Sequence, residues 1–242
     1  MKKAWVFAER NRKEILRDPM TLLFGIILPL IMLWLFSLMA DNMPFDLFQL
    51  DQLAPAIIVF SFSFISLFSG MLIGRDKSSS FLMRIFASPL TATEYLLGYA
   101  LPLVPVALIQ ICACYITALL LGMPMTFSAI PAFGVVAVIS FLYIGFGLLF
   151  GTFFTDRQVG ALFAIFVNLT SWLSGTWFEL DLIGGSFQKI AYYLPFAHAV
   201  EASRAAFAGD YAAVLVPMIW VVTYTVALFG ITVWGFRKKM RG

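Results

Sequence analysis

Few residues in this sequence could perform chemistry, and they lie in short polar segments between long apolar ones. Thr91-Ala92-Thr93-Glu94 has the spacing of a capping box, in which the threonine accepts a backbone N–H and the glutamate reaches back. Glu94 is therefore either a helix cap or a residue that contacts a partner. Glu201 and Arg204 are three residues apart and could form an ion pair on one helix.

Known catalytic and metal-binding motifs are absent from the sequence. No stretch matches the phosphate loop G-x-x-x-x-G-K-[ST], the nucleophile elbow G-x-S-x-G or the zinc motif H-E-x-x-H. Cys112 and Cys114 do not face each other on a helix, and His198 is the only histidine. We therefore expect no catalytic residue, no metal site and no cofactor in this chain.

The elements that position these residues are membrane helices. The 242 residues are 62% hydrophobic and only 12% charged, which is about half the charge of a soluble domain. The 61 residues between Glu94 and Asp156 carry no formal charge, so this run must turn back, and Gly122-Met123-Pro124 is the predicted corner. We predict six transmembrane helices, over residues 20–39, 53–74, 95–121, 127–154, 158–176 and 211–236.

The distribution of lysine and arginine predicts the orientation of these spans. With both termini in the cytoplasm, the inner segments 1–19, 75–94, 155–158 and 237–242 hold 14 of the 16 basic residues. The outer segments hold seven acidic residues but only Lys189 and Arg204 as bases. No predicted span contains a charged residue, which argues against a proton relay or an ion-coupled carrier. The net charge of +3 is too small to indicate a nucleic-acid partner.

Three further segments complete the predicted architecture. Residues 1–19 form an interfacial helix with Trp5, Ala8, Ile15 and Leu16 on one side. In the cytoplasmic loop 75–94, serines 78–80 cap a short amphipathic helix that a Ser-Pro pair ends. The outer segment 177–210 is rich in aromatic and aliphatic residues, and we predict short helices that re-enter the outer leaflet before the last span.

Two stretches resemble the type 2 ABC exporter permeases (the ABC-2 type). RIFASPLTATEYLLGY, residues 84–99, is similar to a family segment that typically reads near ERLLASPLSRxEILLGK; the matching residues are Arg84, Ala87, Ser88, Pro89, Leu90, Glu94, Leu97 and Gly98. Residues 174–209 resemble a second family segment; the matching residues are Gly175, Phe178, Leu182, Gln188, Ile190, Leu194, Pro195, Ala199, Val200, Glu201 and Arg204. The opening RDPMTLLFGIILPL also resembles the family's entry into its first span, so the similarity covers essentially the whole chain.

This resemblance implies an all-α integral membrane permease with six spans, an interfacial N-terminal helix, a cytoplasmic coupling helix and re-entrant outer helices. It also implies a second permease subunit, either a copy or a homologue, and two copies of a separate ATP-binding cassette ATPase that carries ATP and Mg²⁺. The expected location is the cytoplasmic membrane of a prokaryote. The implied residues for coupling to the ATPase are Arg12, Phe81, Arg84, Ile85, Phe86, Ser88, Pro89 and Glu94. Those assigned to an outer gate or to the re-entrant segment are Phe178, Pro195, Glu201 and Arg204.

The resemblance also places the first, second and fifth spans beside the substrate pathway. The candidate pathway residues are Phe60, Ser63, Phe64, Phe163, Phe166 and Asn168. A phenylalanine stripe is also typical of helix packing or lipid contact, whereas Asn168 is expected to be buried and paired across an interface. An aromatic, uncharged pathway would suit a hydrophobic or amphipathic cargo such as a drug, a lipid-like compound or an apolar peptide. The alternative function is an ATP-independent secondary carrier or channel.

Overall fold

The computed structural model describes residues 2–19, 23–40, 49–78 and 91–241, and every element in these ranges is helical. The all-α prediction is therefore confirmed for this part of the chain. A π-helix, Leu23–Ile27, leads directly into the second α-helix. The α-helices are α1 (Lys2–Arg17), α2 (Leu28–Ala40), α3 (Leu50–Ser78), α4 (Ala92–Ala100), α5 (Leu103–Leu120), α6 (Ala129–Phe153), α7 (Asp156–Leu173), α8 (Leu180–Ile183), α9 (Gly185–Tyr193), α10 (Pro195–Ala208) and α11 (Tyr211–Arg241).

The described helices identify an integral membrane protein. Four helical stretches are long and apolar enough to cross a bilayer, namely Leu50–Lys77, Ala92–Leu120, Ala129–Phe153 and Tyr211–Lys238. The stretch Leu23–Met39 is apolar but shorter, and α7 begins with Asp-Arg-Gln, which lowers its apolar character. These two correspond to the predicted first and fifth spans. The total of six spans and the cytoplasmic location of both termini stay predictions.

The third predicted span differs from the structure, because it contains a break. Helix α4 ends at Ala100 and α5 begins at Leu103, so the interruption falls beside Pro102, which has no N–H to continue the ladder. The predicted corner after this span is confirmed, since α5 ends at Leu120 and Gly122 has φ +107°. That backbone conformation is accessible to glycine and strained for other residues.

Helix α3 is the centre of the bundle. In its span 89% of residues are buried, compared with 17% in the last span. It packs against α6 through facing glycines, with Gly70 on α3 and Gly147 and Gly151 on α6, while Gly74 of α3 lies against the backbone of Asp156 at the start of α7. A Cβ added to Gly147 would lie 2.3 Å from the Ser66 carbonyl oxygen, so the two backbones touch. Small residues four apart permit this close approach in membrane helices.

The outer segment 177–210 contains the short helices α8, α9 and α10, as predicted. Helix α10 packs against α3, α6 and α11, and most of its residues are buried within the chain. Its position relative to a bilayer stays a prediction.

The apolar side predicted for α1 is only partly buried within the chain, and its contact with a membrane surface stays a prediction. Ala8 and Ile15 are buried, whereas Trp5 is 68% exposed and Leu16 is also exposed. The buried face instead consists of Ala4, Phe7, Ala8, Asn11 and Ile15. These residues have helical spacing and form the side of α1 that contacts α4. Asn11 belongs to this side because it bonds to Gly98, and Phe7 because it packs on Tyr95.

Candidate functional site

Helix α1 is seated on α4 by one aromatic side chain. The Phe7 ring lies 5.2 Å from the Tyr95 ring and 5.0 Å from the Tyr99 ring, between ring centroids. A Cβ at Gly98 would lie 2.3 Å from Phe7 Cδ1. Gly98 is one of the residues that match the family segment, and its lack of a side chain makes room for α1.

A buried polar cluster joins α1 to both α3 and α4. Arg10 donates two hydrogen bonds to the Asp76 carboxylate, at 2.6 and 2.9 Å. The Tyr99 hydroxyl donates to the same carboxylate at 2.5 Å, and the Tyr95 and Tyr99 hydroxyls are hydrogen-bonded at 2.7 Å. Asn11 donates from Nδ2 to the Gly98 carbonyl at 3.0 Å. We call Arg10, Asn11, Asp76, Tyr95 and Tyr99 the junction cluster.

The junction cluster is held together by charge as well as by hydrogen bonds. The Asp76 side chain is 4% exposed and the Arg10 side chain 38%. Burial alone would lower the pKa of Arg10, but the hydrogen bonds and charge of Asp76 raise it above its usual value. A bidentate arginine–carboxylate pair fixes orientation, and removing one partner strands a buried charge. The cluster therefore specifies one position of α1.

The junction cluster flanks the predicted coupling loop on both sides. Asp76 lies two residues before the end of α3, and Gly98 and Tyr99 belong to α4, the next described helix. The predicted coupling residues Phe81, Arg84, Ile85, Phe86, Ser88 and Pro89 lie outside the described residues, as does the predicted loop helix. Both helices that flank residues 79–90 are thus bonded to α1.

Glu94 is a helix cap. Its carboxylate accepts from the Thr91 backbone N–H at 3.1 Å, and the Thr91 hydroxyl accepts from the Glu94 N–H at 3.2 Å. The predicted capping box is therefore confirmed. The second predicted role of Glu94, contact with a partner, stays a prediction.

Arg12 lies away from the junction cluster. It is exposed and pairs with Glu9 on the same helix at 2.7 and 2.9 Å. The hydrogen bonds and charge of Glu9 raise the pKa of Arg12, and those of Arg12 lower the pKa of Glu9. An exposed pair of this kind leaves the Arg12 side chain accessible to a partner.

Lys77 caps the C-terminal end of α6 and is next to Asp76 of the junction cluster in the chain. Its ammonium donates to the carbonyl oxygens of Gly151, Thr152 and Phe154 at 2.9, 3.0 and 2.8 Å. The last carbonyls of a helix have no partner within the helix and carry partial negative charge, so a lysine there is stabilising. Lys77 thereby fastens the end of α3 to the turn between α6 and α7.

The six predicted pathway residues do not form one surface. Phe60 and Phe64 are in contact on α3, and Phe64 lies 5.6 Å from Phe163 of α7. Trp177 contacts Phe60 at 5.4 Å and Phe36 of α2 at 4.8 Å, between ring centroids. These side chains form an aromatic layer between α2, α3 and α7.

Ser63, Phe166 and Asn168 have other surroundings. The Ser63 hydroxyl is hydrogen-bonded to the Thr170 hydroxyl at 3.1 Å within the core. Phe166 packs among aromatic rings of α6 and α10, including Phe146 at 5.0 Å and Phe196 at 5.6 Å. Asn168 is exposed in the single chain and donates to the Ala164 carbonyl of its own helix at 2.7 Å, and its pairing across an interface stays a prediction.

The predicted Glu201–Arg204 ion pair is replaced by two separate interactions. Arg204 donates to the carbonyls of Gln52 at 3.1 Å and Gly175 at 3.2 Å, which joins α10 to the start of α3 and the end of α7. Glu201 Oε2 instead lies 3.5 Å from His198 Nδ1. Burial lowers the pKa of Arg204 to about 10, while the charges of Glu201 and Glu179 act in the opposite direction.

The other two predicted outer residues, Phe178 and Pro195, lie before α8 and at the start of α10. Phe178 packs between Trp172 and Phe187, with ring centroids 5.8 and 6.3 Å away. Pro195 is buried at the first turn of α10, where its missing N–H leaves no unmet hydrogen bond. A small cavity of about 130 Å³ in the same part of the chain is lined by residues that include Ser174, Glu179, Tyr192, Glu201 and Arg204.

Sequence reasoning missed the junction cluster and Lys77. Two features of the sequence could have indicated them. Asp76 and Lys77 are charged residues directly after an apolar span, and Gly98 lies in the segment that matches the family. Among the described residues, no group of three or more His, Cys, Asp or Glu side chains could hold a metal ion.

Comparison with known proteins agrees with the motifs. The model of the family described as ABC-2 type transporter matches residues 2–208. A relative from Pyropia yezoensis, which carries the name "Putative transport permease ycf38", is 28% identical over 200 residues, covering 79% of this chain and 69% of the relative. The family match includes α1, the junction cluster and the Arg204 contacts. The chain therefore belongs to the ABC-2 type transporter family.

Proposed function

We propose that this chain is the membrane permease subunit of an ATP-driven exporter. The observation that carries this proposal is the junction cluster, which bonds α1 to the two helices flanking residues 79–90. A partner that pressed on residues 79–90 or on the exposed side of α1 would displace α1, α3 and α4 together. Neither the sequence nor the described structure offers a phosphate loop, so ATP and Mg²⁺ would be bound by a separate ATPase subunit.

The proposed assembly contains two permease subunits and two ATPase subunits. The permeases are either two copies of this chain or this chain and a homologue, in the cytoplasmic membrane of a prokaryote. Exposed apolar side chains on α2 and α7, such as Trp34, Ile165 and Trp172, supply area for a second permease or for lipid. The chain itself would catalyse no reaction and would bind no nucleic acid.

The proposed cargo is hydrophobic or amphipathic. The aromatic layer of Phe36, Phe60, Phe64, Phe163 and Trp177 contains no charged side chain, and such a surface favours apolar ligands. Movement of α7 relative to α3 would open this layer, because Phe64 and Phe163 belong to different helices. A drug, a lipid-like compound or an apolar peptide fits this chemistry.

Purification in mild detergent tests the proposed assembly. The tagged chain, expressed with an ATP-binding cassette ATPase of the same organism, is expected to retain that ATPase and to transport only with ATP. A chain that purifies without an ATPase and transports under an ion gradient alone would instead be a secondary carrier.

Coupling is tested by breaking the contacts of the loop. Reversal of the charge of Arg84 together with polar substitution of the 81–86 face is expected to leave ATP hydrolysis and to abolish export. The matched control is Arg237→Glu, which reverses an exposed charge at the other end of the chain. Unchanged export by the loop variant would contradict the assignment.

A further inference from the structure

His198 of α10 is in contact with both α9 and α11. Its Nε2 lies 3.0 Å from the Tyr192 carbonyl oxygen of α9, and its ring stacks on Trp220 of α11, with centroids 5.2 Å apart and an interplanar angle of 13°. Its Nδ1 lies 3.5 Å from Glu201 Oε2, one turn further along α10. The His198 side chain is only 9% exposed, so these contacts determine its surroundings.

The contacts also determine where the imidazole must carry hydrogen. A carbonyl oxygen only accepts, so the hydrogen bond to Tyr192 puts a hydrogen on Nε2. In a neutral imidazole, Nδ1 then has a lone pair and no hydrogen. Nδ1 is buried without a hydrogen-bond partner among the described residues, and it faces the Glu201 carboxylate. With neutral His198 and ionised Glu201, two acceptors would therefore face each other.

A second hydrogen on the imidazole removes this conflict. The imidazolium has an N–H at both nitrogens, so Nε2 keeps its bond to Tyr192 and Nδ1 forms an ion pair with Glu201. A cation that lies over the face of an indole ring is also attracted to that ring, and Trp220 is stacked on His198 in this way. Protonation therefore strengthens the contacts with Glu201 and Trp220 together.

The charges around the pair favour the same state. One small cavity is lined by three carboxylates, one guanidinium and one phenol, namely Glu179, Asp181, Glu201, Arg204 and Tyr192. On α11 the Tyr224 hydroxyl donates to the Tyr193 carbonyl at 2.6 Å. Helix α6 contains no charged residue, and those of α3, α7 and α11 are near the helix ends. The charge around the pair is therefore mainly negative, which favours a positive His198.

We infer that His198 and Glu201 form a proton-binding site, in which the proton is held on His198 Nδ1 and faces Glu201. The bound proton fastens α10 to α11, because it adds the ion pair and the cation–π contact to the existing packing. When the pH rises and the proton is lost, the lone pair of Nδ1 opposes Glu201 and this contact weakens. In the proposed orientation the segment is on the outer side of the membrane, so the site responds to the pH outside the cell.

Nitrogen NMR of the full-length chain tests this inference, because His198 is the only histidine. Protein labelled with ¹⁵N-histidine and purified with a histidine-free tag gives two ring signals, and their shifts distinguish an N–H from a bare nitrogen. We expect both nitrogens to carry hydrogen at low pH, and Nδ1 alone to lose it as the pH rises. In Glu201→Gln the midpoint of this change should fall by about one pH unit, because a neutral amide does not stabilise the imidazolium.

Two controls separate the pair from general effects. Glu9→Gln makes the same substitution on α1 and should leave the midpoint unchanged, whereas Trp220→Leu should lower it by removing the stacked ring. Thermal unfolding in detergent gives a second measurement. A proton that binds the folded state more tightly stabilises it at low pH and not at high pH, so the unfolding midpoint of the parent should fall as the pH rises. This fall should be about 3 °C smaller in Glu201→Gln.

Three results would overturn the inference. These are equal NMR midpoints in the parent and Glu201→Gln, a His198 that stays neutral down to about pH 5, and a neutral form with the hydrogen on Nδ1. The site is independent of the exporter proposal, because neither measurement needs ATP or transport. A failure here therefore leaves that proposal standing.

Discussion

Asp76 is the residue on which the position of α1 depends most. It is a carboxylate at the end of an apolar helix, and its side chain is almost fully buried. Arg10 and Tyr99 satisfy its oxygens, and an unpaired carboxylate in the same place would be strongly unfavourable. The pair therefore favours one arrangement of α1, α3 and α4 over others.

Neutralisation of Asp76 should loosen this arrangement. Asp76→Asn keeps the shape of the side chain but leaves Arg10 without its buried counter-charge, so we expect a loss of about 2 kcal/mol in the free energy of unfolding. Denaturant or thermal unfolding in detergent measures it. Glu9→Gln, which breaks an exposed pair on the same helix, is the control and should leave stability unchanged. Equal effects of the two variants would contradict a special role for Asp76.

Single residues were predictable from sequence when their partners were close in the chain. Glu94 and Thr91 are three residues apart, so their spacing predicts the capping box. Arg10 and Asp76 are 66 residues apart, and no local pattern connects them. Glu201 and Arg204 have pairing spacing, yet backbone carbonyls from other helices take the guanidinium. Tertiary contacts override local spacing here.

At the scale of elements, the α3–α6 pair is the most closely packed part of the bundle. Glycines on both helices bring backbone against backbone, and Lys77 fastens the end of α3 to the end of α6. Helices that touch through their backbones cannot slide without collision. Movement during transport should therefore occur between this pair and α2, or the part of α7 beyond its first turn, since at Asp156 the backbone of α7 lies against Gly74 of α3.

Enlargement of one glycine tests this packing. Gly147→Ala places a methyl group 2.3 Å from the Ser66 carbonyl oxygen, and because that atom is backbone the helices must separate. We expect a loss of about 2 kcal/mol in stability from overpacking. Gly134→Ala is the control in the same helix, where a Cβ meets nothing within 4 Å. Its effect should be neutral or stabilising, since alanine favours helix. A comparable loss in both variants would show that the close contact of Gly147 with α3 is not the cause.

Hydropathy predicted the existence of the helices better than their faces and ends. Helix α3 begins at Leu50 and ends at Ser78, so it extends the predicted span 53–74 at both ends. The predicted span ends at residue 74, but the helix continues through Asp76 and Lys77, whose charges are satisfied by partners on other helices. The buried side of α1 likewise depends on another helix, because Gly98 of α4 leaves the space that the Phe7 ring occupies.

At the scale of the whole molecule, the orientation of the spans awaits a direct measurement. We expect Met125→Cys and Lys189→Cys to react from outside the cell with a membrane-impermeant thiol reagent. Arg157→Cys should react only after permeabilisation. All three positions are exposed in the structure, so accessibility depends on the side of the membrane. The parent for this series carries Cys112→Ser, because Cys112 is exposed.

The behaviour of Lys189→Cys decides whether α7 crosses the membrane. In the six-span arrangement the segment after α7 is outside. If α7 does not cross, this cysteine lies on the same side as Arg157→Cys, and the count of six is wrong. Labelling of Met125→Cys is expected in either case, which makes it the internal control.

The contacts of Lys77 have a consequence for how the protein is synthesised. The lysine belongs to α3, but the carbonyls it binds are at residues 151–154 and emerge from the ribosome more than seventy residues later. Until then those carbonyls are not available to Lys77 and α6 does not cover the glycine face of α3, so nascent chains that stop before α6 should be substrates for quality-control proteolysis. The contact that caps the end of α6 in the finished protein can thus form only after the first 154 residues have been synthesised.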